Sequence, residues 1–201
     1  MTKRRPATIS ALLDAALELF AEQGYGATSI PDICARAGLT KGAFYSNFAN
    51  KDALFVALLD RNWHRRAAWI RRALPASDLT AGPGESHGQL PLLEPDRQWT
   101  LVSTEFSLHA IRHPDVAAIL AEHEIRARSE FAVLIGEALD RAGRVPAIPV
   151  IELARMLVAI TEGLGIQALT DTAAGTTVSA DHCQEAILAL LWHFSRLAEP
   201  T

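Results

Sequence analysis

Residues 28–51 constrain the fold more tightly than any other stretch: Thr-Ser-Ile-Pro-Asp-Ile-Cys-Ala-Arg-Ala-Gly-Leu-Thr-Lys-Gly-Ala-Phe-Tyr-Ser-Asn-Phe-Ala-Asn-Lys. Ser29 is a good helix N-cap, and Asp32 can accept from its backbone N–H as the acid of a capping box. Pro31 falls in the first turn, where a missing N–H is harmless. Ile30, Ile33 and Ala37 recur at helical spacing, and Gly38 then supplies a left-handed C-cap. Leu39 plugs the turn. Thr40 caps a second helix, whose Phe44 and Phe48 fall on the inner face with Leu39, leaving Lys41, Gly42, Ala43, Tyr45, Ser46 and Asn47 outside. Asn50 caps a third helix with Lys51 in its first turn, where a cation opposes the helix dipole unless an anion lies nearby. Two short helices joined by a glycine turn, with a further helix start beyond, make a helix-turn-helix that can present one helix end to the major groove of DNA.

Elsewhere the pattern is helical. Ile9, Leu12, Leu13, Ala16, Leu17 and Phe20 define an amphipathic helix ending near Gln23, which braces the motif into a three-helix head. A long helix from Lys51 runs to Leu74, where Pro75 stops it, and connects the head to the body. Residues 75–96, with Gly82-Pro83-Gly84 at their centre, read as a flexible loop and not a phosphate loop. Helices follow over 97–112, 115–142, 150–170 and 180–197, with Pro114 and a turn over 143–149 as breaks. No strand alternation shows, so the expected fold is all-α: a DNA-binding domain over 1–53 and a larger helical domain over 54–201.

The net charge is −4, yet the first 66 residues carry nine Lys/Arg against six Asp/Glu and the remainder ten against seventeen. A basic head on an acidic body suits a protein that meets DNA at one end. Cys34 and Cys183 are far apart and form neither a disulfide framework nor a metal-binding pair; both read as packed side chains. Asp14 and Glu18 break the apolar run that a signal peptide would need after the basic start, and Glu152, Arg155, Glu162 and His193 interrupt the later apolar stretches. These features point to the cytoplasm.

The run Ala37-Gly38-Leu39-Thr40-Lys41-Gly42-Ala43-Phe44-Tyr45-Ser46-Asn47-Phe48, then Asn50-Lys51-Asp52-Ala53-Leu54, resembles the signature of the TetR family of bacterial transcriptional regulators. Asn47 stands where many members carry histidine. The resemblance covers about the first quarter of the chain. It implies a homodimer, an all-α effector domain with a small-molecule pocket, a palindromic operator, and repression as the commoner outcome. No catalytic role and no cofactor are expected.

On this reading the DNA-binding candidates are Thr28, Ser29, Thr40, Lys41, Gly42, Ala43, Tyr45, Ser46, Asn47 and Lys51. Lys41 suits guanine acceptors or a phosphate, Ala43 a thymine methyl and Asn47 an adenine edge. Thr28, Ser29, Tyr45 and Lys51 suit the backbone, which positions without reading sequence. Arg4 and Arg5 read as an arm along the duplex. Trp99, Phe106, His109, Phe131 and Glu162 are candidates to line the implied effector pocket. In the last helix Cys183, Ile187, Leu190, Leu191 and Phe194 form one stripe while Leu188 and Trp192 lie on another side; Gly163 and Gly165 mark the helix before it. A helix apolar on several faces is buried from several directions, and this pair is expected to form a four-helix dimer interface. Two rival readings stand: a partner-binding module, and a helical metal-dependent enzyme built on Glu105, His109 and His113, which share one helix face at four-residue spacing. Ala110 stands where the zinc-protease pattern would have a catalytic glutamate.

Overall fold

A computed structural model describes residues 4–73, 96–175 and 180–198, excluding the side chains of Arg4, Ala73 and residues 180–186. The expected loop over 75–96, apart from Asp96, and the side chain of Cys183 lie outside the described residues. Eight helices are described: α1 (Arg4–Gln23), α2 (Ile30–Arg36), α3 (Lys41–Tyr45), α4 (Lys51–Ala73), α5 (Arg97–Arg112), α6 (Pro114–Arg141), α7 (Val150–Ala173) and α8 (Ala180–His193). The helix that was expected from Ile9 begins at Arg4, so Arg4 and Arg5 form the first turn of α1 and not an extended arm. His113 leaves the helical region ahead of Pro114, which opens α6.

The chain divides into two compact units, one drawn from Met1–Trp63 with Asp96–His123 and the other from His64–Pro95 with Glu124–Thr201. The first unit has a continuous core of Leu12, Leu13, Ala16, Phe20, Tyr25, Ile33, Phe44, Leu54, Phe55, Leu58, Val102 and Phe106. Aromatic rings fill its centre: Phe20 lies 5.1 Å from Tyr25, and Tyr25 stands edge-on to both Phe55 and Phe106. Arg36 ties α2 to α1 through Glu18 and Glu22, at 3.1 and 2.8 Å, and Arg61 ties α4 to Asp14 at 2.7 Å. Such exposed ion pairs orient the helices and contribute about 0.2–1 kcal/mol each.

In the second unit Leu134, Ile135, Leu139, Leu153, Ala154, Leu157, Ile187, Leu188 and Leu191 are buried. Here the structure departs from the expected run of helix and turn. Residues Arg144–Pro146 (β1) and Ser195–Leu197 (β2) pair antiparallel, so α8 stops at His193 instead of continuing to Leu197. The cause is Arg144, which is buried and donates from Nε to Ser195 Oγ and from Nη2 to the carbonyls of Trp192 and Ser195. Its guanidinium also lies 4.8 Å from the centre of the Trp192 ring. The bond to Trp192 O takes up a carbonyl in the last turn of α8, where carbonyls lack a helical partner, and the bond to Ser195 O holds the start of β2.

Candidate nucleic-acid interface

The motif folds as its capping residues dictate. Ser29 Oγ accepts from Asp32 N at 3.3 Å while Asp32 Oδ2 accepts from Ser29 N at 3.0 Å, completing the box with the shorter acid. This hydrogen bonding holds the Asp32 carboxyl below its ordinary range. Gly38 takes φ +65°, the left-handed conformation the turn requires. Thr40 Oγ1 then accepts from Ala43 N at 3.2 Å and starts α3. Phe44 is wholly buried and fixes the helix to the core, which leaves Lys41, Gly42, Tyr45 and Ser46 exposed. Tyr45, 58% exposed, is the most accessible aromatic of this face.

The remaining candidates divide by what already holds them. Asn47 donates to Ala43 O at 2.8 Å and accepts from Arg5 Nε at 3.3 Å, which brings the first turn of α1 to the end of α3. Thr28 is buried; its hydroxyl donates to Gly24 O at 2.7 Å and accepts from Gln23 Nε2 at 3.3 Å. Its side chain therefore serves the turn between α1 and α2. Lys51 Nζ donates to the carbonyls of Tyr25 and Thr28, at 2.6 and 2.8 Å. Partial burial lowers its pKa, with Asp52 and Glu105 acting in the opposite direction. An ammonium has three donors, so beyond these two carbonyls, among the described residues, one N–H remains.

The candidate pocket residues fall into different units. Phe106 is in the core of the first unit, stacked on Phe55; Trp99 packs against that core, and His109 Nε2 lies 3.3 Å from Asp52 Oδ1. Phe131 and Glu162 belong to the second unit. The Glu162 carboxyl is pushed above its ordinary range by partial desolvation and by Glu124, against the opposing charges of Arg66 and Arg128. The face expected to offer half a metal site is used otherwise: Glu105 accepts the backbone N–H of Tyr25, His109 faces Asp52, and the His113 ring packs tilted against that of His109 with centres 4.3 Å apart. Among the described residues no three His, Cys, Asp or Glu side chains converge as metal ligands would. Sequence reasoning missed Tyr25, Asp52 and the role of Glu105, whose contacts span up to 80 residues.

The family model described as "Bacterial regulatory proteins, tetR family" matches residues 12–58, and that of the "BetI-type transcriptional repressor, C-terminal" matches residues 87–193, more than half of the chain. The chain belongs to the TetR family of bacterial transcriptional regulators. It is a ligand-responsive DNA-binding regulator and not an enzyme; regulators of this family bind DNA and act as dimers. The HTH-type transcriptional regulator UidR of Escherichia coli K12 is 28% identical over 163 residues, covering 81% of this chain and 82% of UidR. A TetR-family regulator from a Rhodococcus species, 18% identical, has the same fold with a TM-score of 0.73 over 94% of this chain and 98% of that one. A transcriptional regulator from Saccharomonospora viridis solved in complex with choline is 21% identical, with a TM-score of 0.60 over 93% and 96% of the two chains. Among the described residues no helix is long and apolar enough to cross a membrane.

Proposed function

We propose that this regulator is a repressor whose homodimer binds a palindromic operator through residues 1–53 and is released when a small molecule binds within residues 54–201. The observation that carries the DNA reading is α3: a helix capped by Thr40, fixed by buried Phe44 and presenting Lys41, Gly42 and Tyr45 outward. In this reading Lys41 and Ala43 meet base edges, while Tyr45, Ser29, Ser46 and the remaining donor of Lys51 meet phosphates. Asn47 and Arg5, already bonded to one another, reach the backbone together, and Thr28 acts only through the turn it holds.

The last two helices support the dimer. Ile166 and Trp192 are 46% and 41% exposed in the single chain, and a Cβ added to Gly163 would meet nothing within 4 Å. Nothing among the described residues requires glycine there, which fits close approach by a second copy or a ligand. Phe131 and Glu162 remain the better candidates for the effector, because Phe106 and His109 are already engaged in the other unit. The choline complex of the Saccharomonospora protein supports a small effector and makes choline the first probe. Linkage requires that such a ligand prefer the arrangement that does not fit the operator.

The test is an anisotropy titration with labelled duplexes from upstream of the chain's own gene, together with selection from a random-sequence pool to recover the operator. Saturable binding that resists competitor DNA, weakens steeply with salt and is lost in Lys41→Ala and Tyr45→Ala is expected. Absence of binding at low salt to both the upstream and the selected DNA overturns the assignment of α3.

A further inference from the structure

Ionic groups from two different helices hold the backbone of Tyr25 on either side of its Cα. Its N–H donates to Glu105 Oε2 of α5 at 2.5 Å, and its carbonyl accepts from Lys51 Nζ of α4 at 2.6 Å. Lys51 gives a second donor to Thr28 O, farther along the same turn, and its ammonium lies 4.2 Å from the centre of the Tyr25 ring. The Tyr25 hydroxyl donates to Asp52, the oxygen that His109 of α5 also faces. Glu105 approaches so closely that a Cβ on Gly24 would come within 2.7 Å of Oε1, and Gly24 itself has φ +88°. All of these groups belong to one compact unit.

A lysine ammonium on its four-carbon stem has no fixed direction of its own. Here two carbonyls fix it, and the residue that supplies one of them, Tyr25, is held in turn at its N–H by Glu105. We propose that Glu105 is a positioning residue for DNA binding: by anchoring the Tyr25 N–H it holds the backbone of the residue whose carbonyl receives Lys51, and so sets where Lys51 presents its remaining N–H to a DNA phosphate. The inference rests on Lys51 being a phosphate contact. It makes α5, more than forty residues beyond the helix-turn-helix, part of the grip on the duplex. Drawing the Glu105 carboxylate away would loosen that grip without touching the Thr40 cap or the outward face of α3.

The experiment uses the full-length dimer and the operator duplex recovered by selection, and reads the slope of log affinity against log salt. Each phosphate contact contributes about 0.9 to that slope. Lys51→Ala is expected to lower it by about 0.9 per head, and Glu105→Ala by nearly as much. Glu105→Gln, which keeps an acceptor for the Tyr25 N–H, restores most of the loss, and the double variant Lys51→Ala/Glu105→Ala matches Lys51→Ala alone. Circular dichroism confirms that each variant is folded at the assay temperature. Glu105→Leu, of similar size but without an acceptor, replaces the alanine variant should that one not fold. A merely structural role for Glu105 would lower the melting temperature and affinity but leave the slope unchanged. That result, or a double variant whose loss is the sum of the two, overturns the proposal. An unchanged slope in Lys51→Ala shows instead that Lys51 is no phosphate contact, and the proposal falls with that reading.

Discussion

The ring of Phe106 lies flat on that of Phe55, with centres 3.7 Å apart and planes 8° from parallel. Both side chains are buried, and Tyr25 stands edge-on to each. The stack joins α5 to α4 inside the unit that also contains the helix-turn-helix, so α5 is a structural part of that unit.

Phe106→Ala should therefore destabilise the protein by about 3–5 kcal/mol, as expected for loss of a large buried aromatic. Urea unfolding followed by circular dichroism measures this. A residue lining an open pocket would behave differently, with a loss below about 1 kcal/mol. That smaller value would return Phe106 to the effector pocket.

Thr40→Ala removes the one side-chain bond, among the described residues, to the first turn of α3, a helix of five residues. The expected cost is about 1 kcal/mol of stability. Because the lost bond sits at the helix end proposed to meet DNA, operator affinity should fall further than global stability does. Thr40→Ser, which keeps the acceptor, should recover both. Parallel unfolding and anisotropy titrations separate the two effects.

Glu162 gives a pH dependence with a definite sign. Its carboxyl is raised in the folded chain above the ordinary value of 4.5, first by desolvation and then by Glu124. The folded state thus binds this proton more tightly than the unfolded state does. The contribution is fully present below 4.5 and is lost as pH rises through the raised value. Glu162→Gln should abolish that part of the pH dependence and be more stable than the parent at neutral pH. Denaturant midpoints measured from weakly acid to neutral pH test it; parallel curves for the two proteins would contradict the assignment.

Ile166→Glu places a charge where the single chain leaves an exposed apolar side chain on α7. Monomer folding should change by no more than about 0.5 kcal/mol, since the site is accessible. Dimerisation should be strongly weakened, because an unpaired carboxylate would be buried at the proposed interface. Sedimentation velocity of the variant should show folded monomer. A dimer of unchanged affinity would move the interface away from this face of α7.

The helix-turn-helix was legible in the residues because its determinants are local. The Ser29–Asp32 box, the Gly38 turn and the Thr40 cap each act within four residues, and short-range hydrogen bonding forms them almost regardless of what surrounds them. The bounds of α5 at Arg97 and Arg112, and of α4 at Lys51, followed from periodicity and from proline and cap signals of the same short range. Which side chains these helices turn inward was harder to read. Thr28 looked available to a phosphate and is buried; Phe106 looked like a pocket wall and is core.

What the sequence by itself determined was the local grammar: the caps, the glycine turn, the helical period and the family signature that goes with them. Tertiary structure alone decided that Glu105 reaches Tyr25 across 80 positions, and that Arg144 reaches Ser195 across 51. Arg144 thereby ends α8 in a two-stranded sheet where helical periodicity ran on toward Leu197. The physical reason is that a buried or half-buried polar group must find a partner somewhere, and the chain's own periodicity states that need without naming the partner.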